Sequence, residues 1–132
     1  MLDRRMFMAL AAVACAAVFA PALVRANAVA PFDQAAYDAA LTAGKPMLVE
    51  ISAPWCPTCR AQKAVLDELL TDPKFADLVH LDVDFDTRKD VVRALGARTQ
   101  STLIVYSDGV EVARAVGEVR PEMIAALVNA AY

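Results

Sequence analysis

Two cysteines separated by two residues are the part of this 132-residue chain best suited to chemistry. Cys56 and Cys59 follow Trp55 in the sequence Trp-Cys-Pro-Thr-Cys. Residues three apart share one face of a helix, where two sulfurs are within disulfide reach. The spacing is too short to join distant parts of a fold, so it indicates a pair that makes and breaks a disulfide.

The flanking sequence places this pair where a strand turns into a helix. Residues 47–52 read as a buried strand, and residues 61–70 carry apolar side chains at helical spacing. A helix start offers unpaired N–H groups and the positive end of the helix dipole, which favour a thiolate. Cys56 is therefore the expected reactive sulfur, and Pro57 suits the first turn because its missing N–H costs nothing there.

Periodicity and turn residues predict the other elements and their order. We expect helices from Pro31 to about Ala43, over 87–95 and from Pro121 onward, and strands over 79–85, 102–106 and 110–116. The order α-β-α-β-α-β-β-α implies parallel crossovers followed by an antiparallel hairpin. The fold class is α/β, with a small mixed sheet covered by helices on both faces.

The N-terminus, residues 1–28, has the pattern of an export signal. Arg4 and Arg5 precede an almost wholly apolar stretch, and Ala26-Asn27-Ala28 supplies small residues for cleavage after Ala28 or after Ala26. The two arginines, followed by a spacer, an aromatic and an aliphatic residue, resemble a twin-arginine signal. We expect a periplasmic protein with no stable membrane association once the signal is removed.

An uncleaved leader that anchors the protein in the membrane is the alternative. The apolar stretch is about long enough to cross a bilayer, for which roughly 20 residues are needed. Pro21 interrupts it, and alanine contributes little to membrane insertion. These two features favour cleavage.

Residues 29–132 are predicted to form one domain, since a chain of this length supports one modest core. The leader holds three of the 13 basic residues and one of the 16 acidic ones, which leaves 10 against 15 and a net charge of −5. Without a basic cluster, nucleic acid is not an expected partner. No cofactor is expected. Cys15 lies in the leader, so two cysteines, Cys56 and Cys59, remain in an oxidising compartment, where they favour a redox role.

From about Phe32 to the end, the chain resembles a thioredoxin-fold protein. Trp-Cys-Pro-Thr-Cys between a buried strand and a helix matches the family's active-site motif, and Gly109 and Gly117 fall where the family places glycines. The resemblance implies a thioredoxin-like three-layer sandwich. It also implies a thiol:disulfide oxidoreductase that acts on protein thiols and disulfides.

The resemblance assigns roles to individual residues. Cys56 would attack the substrate, Cys59 would resolve the mixed disulfide, and Glu50 would be the buried acid that exchanges a proton with Cys59 at a raised pKa. The alternative for Glu50 is a position on an edge strand that faces water. The expected substrate-binding residues are Trp55, Pro57, Thr58, Gln100, Ser101 and Thr102.

The strand over 79–85 carries polar residues on one face. Asp82 falls near the position where the family often has a buried Lys, and a carboxylate there would raise the pKa of Glu50 by repulsion. We favour a solvated acidic face formed by Asp82, Asp84 and Asp86. His80 is given no catalytic role.

Ser101 stands where the family places a cis-proline opposite the cysteines. A cis bond before serine would cost about 3–4 kcal/mol, so a trans peptide is expected. In the family this loop pairs with the substrate backbone and the proline keeps metals off the thiolates. The serine therefore implies altered substrate choice and permits metal or iron–sulfur binding by the Cys pair.

The leading hypothesis is an exported thiol:disulfide oxidoreductase that acts as a reductant. Thr58 stands where a strong periplasmic oxidant has His, so one stabiliser of the Cys56 thiolate is absent. Such a reductant would need electrons from a membrane thiol reductase. The alternatives are a metal- or iron–sulfur-binding module that uses the same Cys pair and a non-catalytic scaffold.

Overall fold

The computed structural model describes residues 28–132. The leader predicted over residues 1–28 lies outside the described residues except for Ala28. The predictions of a twin-arginine signal and of a membrane anchor concern this same segment. Among residues 28–132, no helix combines the length and the apolar character needed to cross a membrane.

Five strands form one mixed sheet in the order β1-β3-β2-β4-β5. Their bounds are β1 Ala30–Pro31, β2 Met47–Ser52, β3 Val79–Asp84, β4 Thr102–Ser107 and β5 Val110–Val116. β2 lies at the centre, parallel to β3 and antiparallel to β4, and the β4–β5 hairpin completes one edge. The predicted parallel crossovers and late hairpin are confirmed.

Helices cover both faces of the sheet. They are α1 Gln34–Thr42, α2 Pro57–Leu69, α3 Lys89–Ala94 and α4 Pro121–Asn129, with a 3₁₀ turn at Pro73–Phe75. One apolar cluster joins α1 and α3 to the sheet through residues such as Met47, Val49 and Val92. A second cluster joins α2 and α4 to the other face through Leu48, Leu66 and Ile124. The thioredoxin-like sandwich is confirmed.

The start of the chain differs from the prediction. Pro31 does not open the first helix but belongs to β1, where it pairs with Asp82 of β3. α1 begins three residues later, and Asp33 caps it by accepting the N–H of Ala36 at 2.8 Å. A two-residue strand has too few positions to show an alternating pattern, so only its pairing with β3 reveals it.

Candidate functional site

The Cys pair lies at the N-terminus of α2, as the sequence predicts. Cys56 is the N-cap residue, and its sulfur accepts the backbone N–H of Cys59 at 3.1 Å. The two sulfurs form a disulfide across a Cα–Cα distance of 5.3 Å. Both cysteines are 2% exposed and pack with Ala53 and the half-buried Phe85. Because an N-cap atom faces unpaired N–H groups, this position favours negative charge on Cys56 after reduction.

Three of the predicted substrate-binding residues surround the disulfide on α2 and the preceding turn. Trp55 is 55% exposed, and its indole Nε1 donates to Asp86 Oδ2 at 2.8 Å. Pro57 is exposed and Thr58 is half-buried. An exposed aromatic ring beside a buried disulfide offers an apolar contact to an approaching protein chain.

Glu50 lies on the central strand and is 3% exposed, so the edge-strand alternative is wrong. Its side chain shares the sheet face that α2 covers. Lys63 Nζ reaches Glu50 Oε1 at 2.6 Å from α2, and His80 Nε2 lies 3.5 Å from the same oxygen on β3. The buried acid is therefore held by an ion pair from the redox helix, with a histidine close by.

The prediction of a raised pKa for Glu50 is wrong. Burial raises the pKa of this carboxyl, but the nearby His80 together with the hydrogen bond and positive charge of Lys63 outweighs that effect, and the pKa is lowered from 4.5. The same pairing raises the pKa of Lys63 against the effect of its own partial burial. Glu50 is therefore a carboxylate at neutral pH.

The polar face of β3 is not the solvated acidic face that the sequence indicates. His80 is buried, and Asp82 is half-buried with its carboxylate bound by Ser52 Oγ at 2.6 Å and Lys63 Nζ at 3.2 Å. Lys63 thus binds both carboxylates, so its charge opposes the repulsion expected between Glu50 and Asp82. Only Asp86 is fully on the surface, where it accepts from Trp55.

A cleft of about 260 Å³ opens beside Cys59. Cys59, Lys63 and Asp82 all line it, together with Ser52, Ala53, Pro54, Arg60 and Asp84. Lys63 is 36% exposed while its ammonium contacts Glu50. The cleft therefore gives solvent a route to Lys63 beside Cys59.

The peptide bond before Ser101 is trans, as predicted. Ser101 has a φ of 55°, in the left-handed region. Gln62, one turn after Cys59 on α2, donates its side-chain amide to Ser101 O at 3.1 Å. Gln100 is half-buried, while Ser101 and Thr102 are buried. The structure thus ties Ser101, one of these three predicted residues, to the redox helix.

Sequence reasoning missed Lys63 and Gln62. They follow Cys59 by four and three residues, so all three share one helix face. That face is otherwise apolar, with Leu66 and Leu70 further along. Two long polar side chains on a buried helix face were the available signal, because a buried polar group requires a partner.

The metal-binding alternative depends on ligands beyond the two cysteines. Across residues 28–132, no group of three or more His, Cys, Asp or Glu side chains is arranged to hold a metal ion. Metal or iron–sulfur binding by the Cys pair stays a prediction.

A redox-active dithiol at a strand-to-helix turn, on a mixed sheet covered on both faces, defines the class of thiol:disulfide oxidoreductases. The thioredoxin family model matches residues 28–130. The chain belongs to the thioredoxin family. It therefore acts on protein disulfides through Cys56 and Cys59.

Individual relatives agree with this assignment. The chain is 33% identical over 82 residues to thioredoxin Asp f 29 of Aspergillus fumigatus, covering 62% of this chain and 74% of that protein. It is 36% identical over 77 residues to the thioredoxin of Mycobacterium tuberculosis, covering 58% and 66% respectively. The crystal structure of Trxlp from Edwardsiella tarda matches with a TM-score of 0.74 and 38% identity, covering 76% of this chain and 98% of that one.

Proposed function

We propose that this protein is an exported reductant that reduces disulfides in other periplasmic proteins. The observation that carries the proposal is the N-cap position of Cys56, whose sulfur accepts the Cys59 N–H at 3.1 Å, next to an uncharged Thr58. The helix start stabilises the Cys56 thiolate, and Thr58 adds no positive charge to it. A moderately stabilised dithiol keeps a low reduction potential and passes its electrons on readily.

The reduction potential of the Cys56–Cys59 pair tests the direction of the reaction. We expect a reduction potential of about −270 mV, as for a reducing thioredoxin. A reduction potential of about −120 mV would show an oxidant instead. The measurement uses equilibration of residues 29–132 with glutathione or dithiothreitol buffers and separation of the alkylated forms.

Trapping with substrate tests the roles of the two sulfurs. In Cys59→Ser, Cys56 should attack a substrate disulfide and stay attached to it, because no resolving thiol remains. Cys56→Ser is the matched control and should trap nothing. Equal trapping by both variants would contradict the assignment of Cys56 as the nucleophile.

The leader pattern supports the export part of the proposal. We expect the periplasmic protein to begin at Val29 when its N-terminus is sequenced. Replacing Arg4 and Arg5 together by Lys should retain the precursor in the cytoplasm, because the twin-arginine pathway reads the arginines themselves. Processing that is unchanged in this variant would rule out that pathway, and a full-length cytoplasmic wild-type protein would rule out export.

A periplasmic reductant requires a supply of electrons, and we propose a membrane thiol reductase as the donor. The periplasm is kept oxidising, so a reduced Cys pair there has to be regenerated across the membrane. Thiol alkylation of cells grown with and without such a reductase measures this directly. A Cys pair equally reduced in both strains would contradict the proposed donor.

A further inference from the structure

Gln62 joins three segments around the redox site through one buried side chain. Its amide nitrogen donates to Ser101 O at 3.1 Å and to Glu118 O at 2.9 Å, and the residue is 2% exposed. Ser101 lies just before β4, and Glu118 lies between β5 and α4. A buried amide that binds two loop carbonyls ties the redox helix to both loops.

The loop that Gln62 holds has a backbone conformation that is costly for serine. A φ of 55° places the Cβ of an L-residue in a crowded region, and such a conformation persists only where the surroundings impose it. Two donors converge on the carbonyl of Ser101, since the N–H of Gly117 also reaches it, at 2.9 Å. Gln62 therefore contributes directly to holding this conformation.

The carbonyl groups of residues 99–101 accept hydrogen bonds from other groups of the protein. Thr102 Oγ1 donates to Thr99 O at 2.8 Å, Ser101 Oγ donates to Gln100 O at 2.6 Å, and Ser101 O accepts from Gln62. Within residues 28–132, the N–H groups of Gln100 and Ser101 have no hydrogen-bond acceptor. The loop thus leaves two donors for a bound chain, one of which a proline could not supply.

We propose that Gln62 is a positioning residue that fixes residues 99–102 so that their free N–H groups can hold the backbone of a protein substrate beside the disulfide. This inference rests on the proposed function, because it concerns how the substrate of that same site is bound. Gln62 does not touch the reacting sulfurs. It acts through Ser101 by giving the loop one conformation in place of several.

Removing the donor while keeping the shape tests the proposal. Gln62→Met fills a similar volume without hydrogen bonds, and Gln62→Glu places a carboxylate opposite two carbonyl oxygens. Leu66→Val is the matched control, since it loosens the next turn of α2 within the apolar cluster and leaves Gln62 in place. Each protein is assayed with dithiothreitol as electron source, using insulin as the protein disulfide and DTNB as a small disulfide.

In both Gln62 variants the KM for insulin should rise about tenfold, because a loop that is no longer fixed in one conformation forms weaker hydrogen bonds with the substrate backbone. The kcat for insulin and the rate with DTNB should change little, since a small disulfide needs only Cys56. Leu66→Val should change neither KM. A KM for insulin that stays at the wild-type value, or equal losses on both disulfides, would overturn the inference.

Amide hydrogen exchange gives a readout that does not depend on turnover. The N–H of Gly117 should exchange faster in Gln62→Met than in Leu66→Val, because its acceptor Ser101 O is no longer held. An unchanged exchange rate of the Gly117 N–H in Gln62→Met would overturn the inference that Gln62 holds Ser101 O in place. A wild-type protein that reduces neither insulin nor DTNB would instead overturn the proposed function, and with it the substrate role inferred for Gln62.

Discussion

Lys63 Nζ lies 2.6 Å from Glu50 Oε1, which connects the redox helix to the central strand. The same ammonium lies 3.2 Å from Asp82 Oδ2 on β3. One side chain from α2 therefore binds carboxylates on two neighbouring strands, beside the cleft that also reaches Cys59. This arrangement explains why the buried acid is ionised, and it leads to the first two predictions.

Replacing Lys63 by Met should destabilise the fold by about 1–3 kcal/mol, because it leaves a buried carboxylate short of a charged partner. The pKa of Glu50 should rise, since burial is then opposed by fewer favourable contacts. Urea unfolding and NMR titration of the Glu50 carboxyl carbon measure the two effects. Arg60→Met is the control, because Arg60 lines the same cleft but donates to Pro54 O. Equal shifts of the Glu50 pKa in both variants would contradict the role of Lys63.

Glu50→Gln should change how stability depends on pH. The pKa of Glu50 is lower in the folded state than its ordinary value of 4.5. Its contribution is therefore present above that value and is lost as the pH falls through the folded pKa. We expect the difference in unfolding free energy between wild type and Glu50→Gln to be largest near neutral pH and to shrink below 4.5.

Urea unfolding between acidic and neutral pH measures this difference. The exposed Glu68→Gln makes the same chemical change on the outer face of α2 and should give no comparable pH-dependent difference. A gap between wild type and Glu50→Gln that grows on acidification would contradict a lowered pKa for Glu50.

Thr58→His should make the Cys pair more oxidising. An imidazolium in the first turn of α2 would add positive charge near Cys56, where the helix start already favours a thiolate. Stabilising the reduced form tenfold raises the potential by about 30 mV, which sets the expected shift. Thr58→Asn is the uncharged control, and an equal shift in that variant would exclude charge as the cause.

The hydrogen bond from Trp55 Nε1 to Asp86 Oδ2, at 2.8 Å on the surface, should contribute about 1 kcal/mol or less to stability. Trp55→Phe and Asp86→Ala each remove it from one side. The double variant should lose less than the sum of the two single losses if the bond exists in solution. Urea unfolding of all four proteins provides the cycle, and strictly additive losses would show that the two side chains do not interact.

The order of helices and strands and the place of the Cys pair could be predicted from the sequence, because both depend on local patterns. The spacing of apolar residues correctly predicted β2 and α2, and Cys56 lies at their junction. The continuous apolar run around Glu50 correctly placed it on a strand buried from both sides. β1 could not be predicted, since its two residues form a strand only by pairing with β3.

The charge state of the site depended on tertiary contacts. Alternation along β3 shows that His80 and Asp82 share a face, but it does not show that α2 covers that face. Helical spacing places Gln62 and Lys63 beside Cys59, but it does not show which groups lie opposite them. Glu50 and Lys63 are 13 residues apart and Gln62 and Ser101 are 39 apart. The sequence by itself determined the order of the elements after β1 and the position of the Cys pair between β2 and α2. Only the packing of α2 on the sheet decided that Glu50 is an ion-paired carboxylate and that Ser101 is held where a proline would stand.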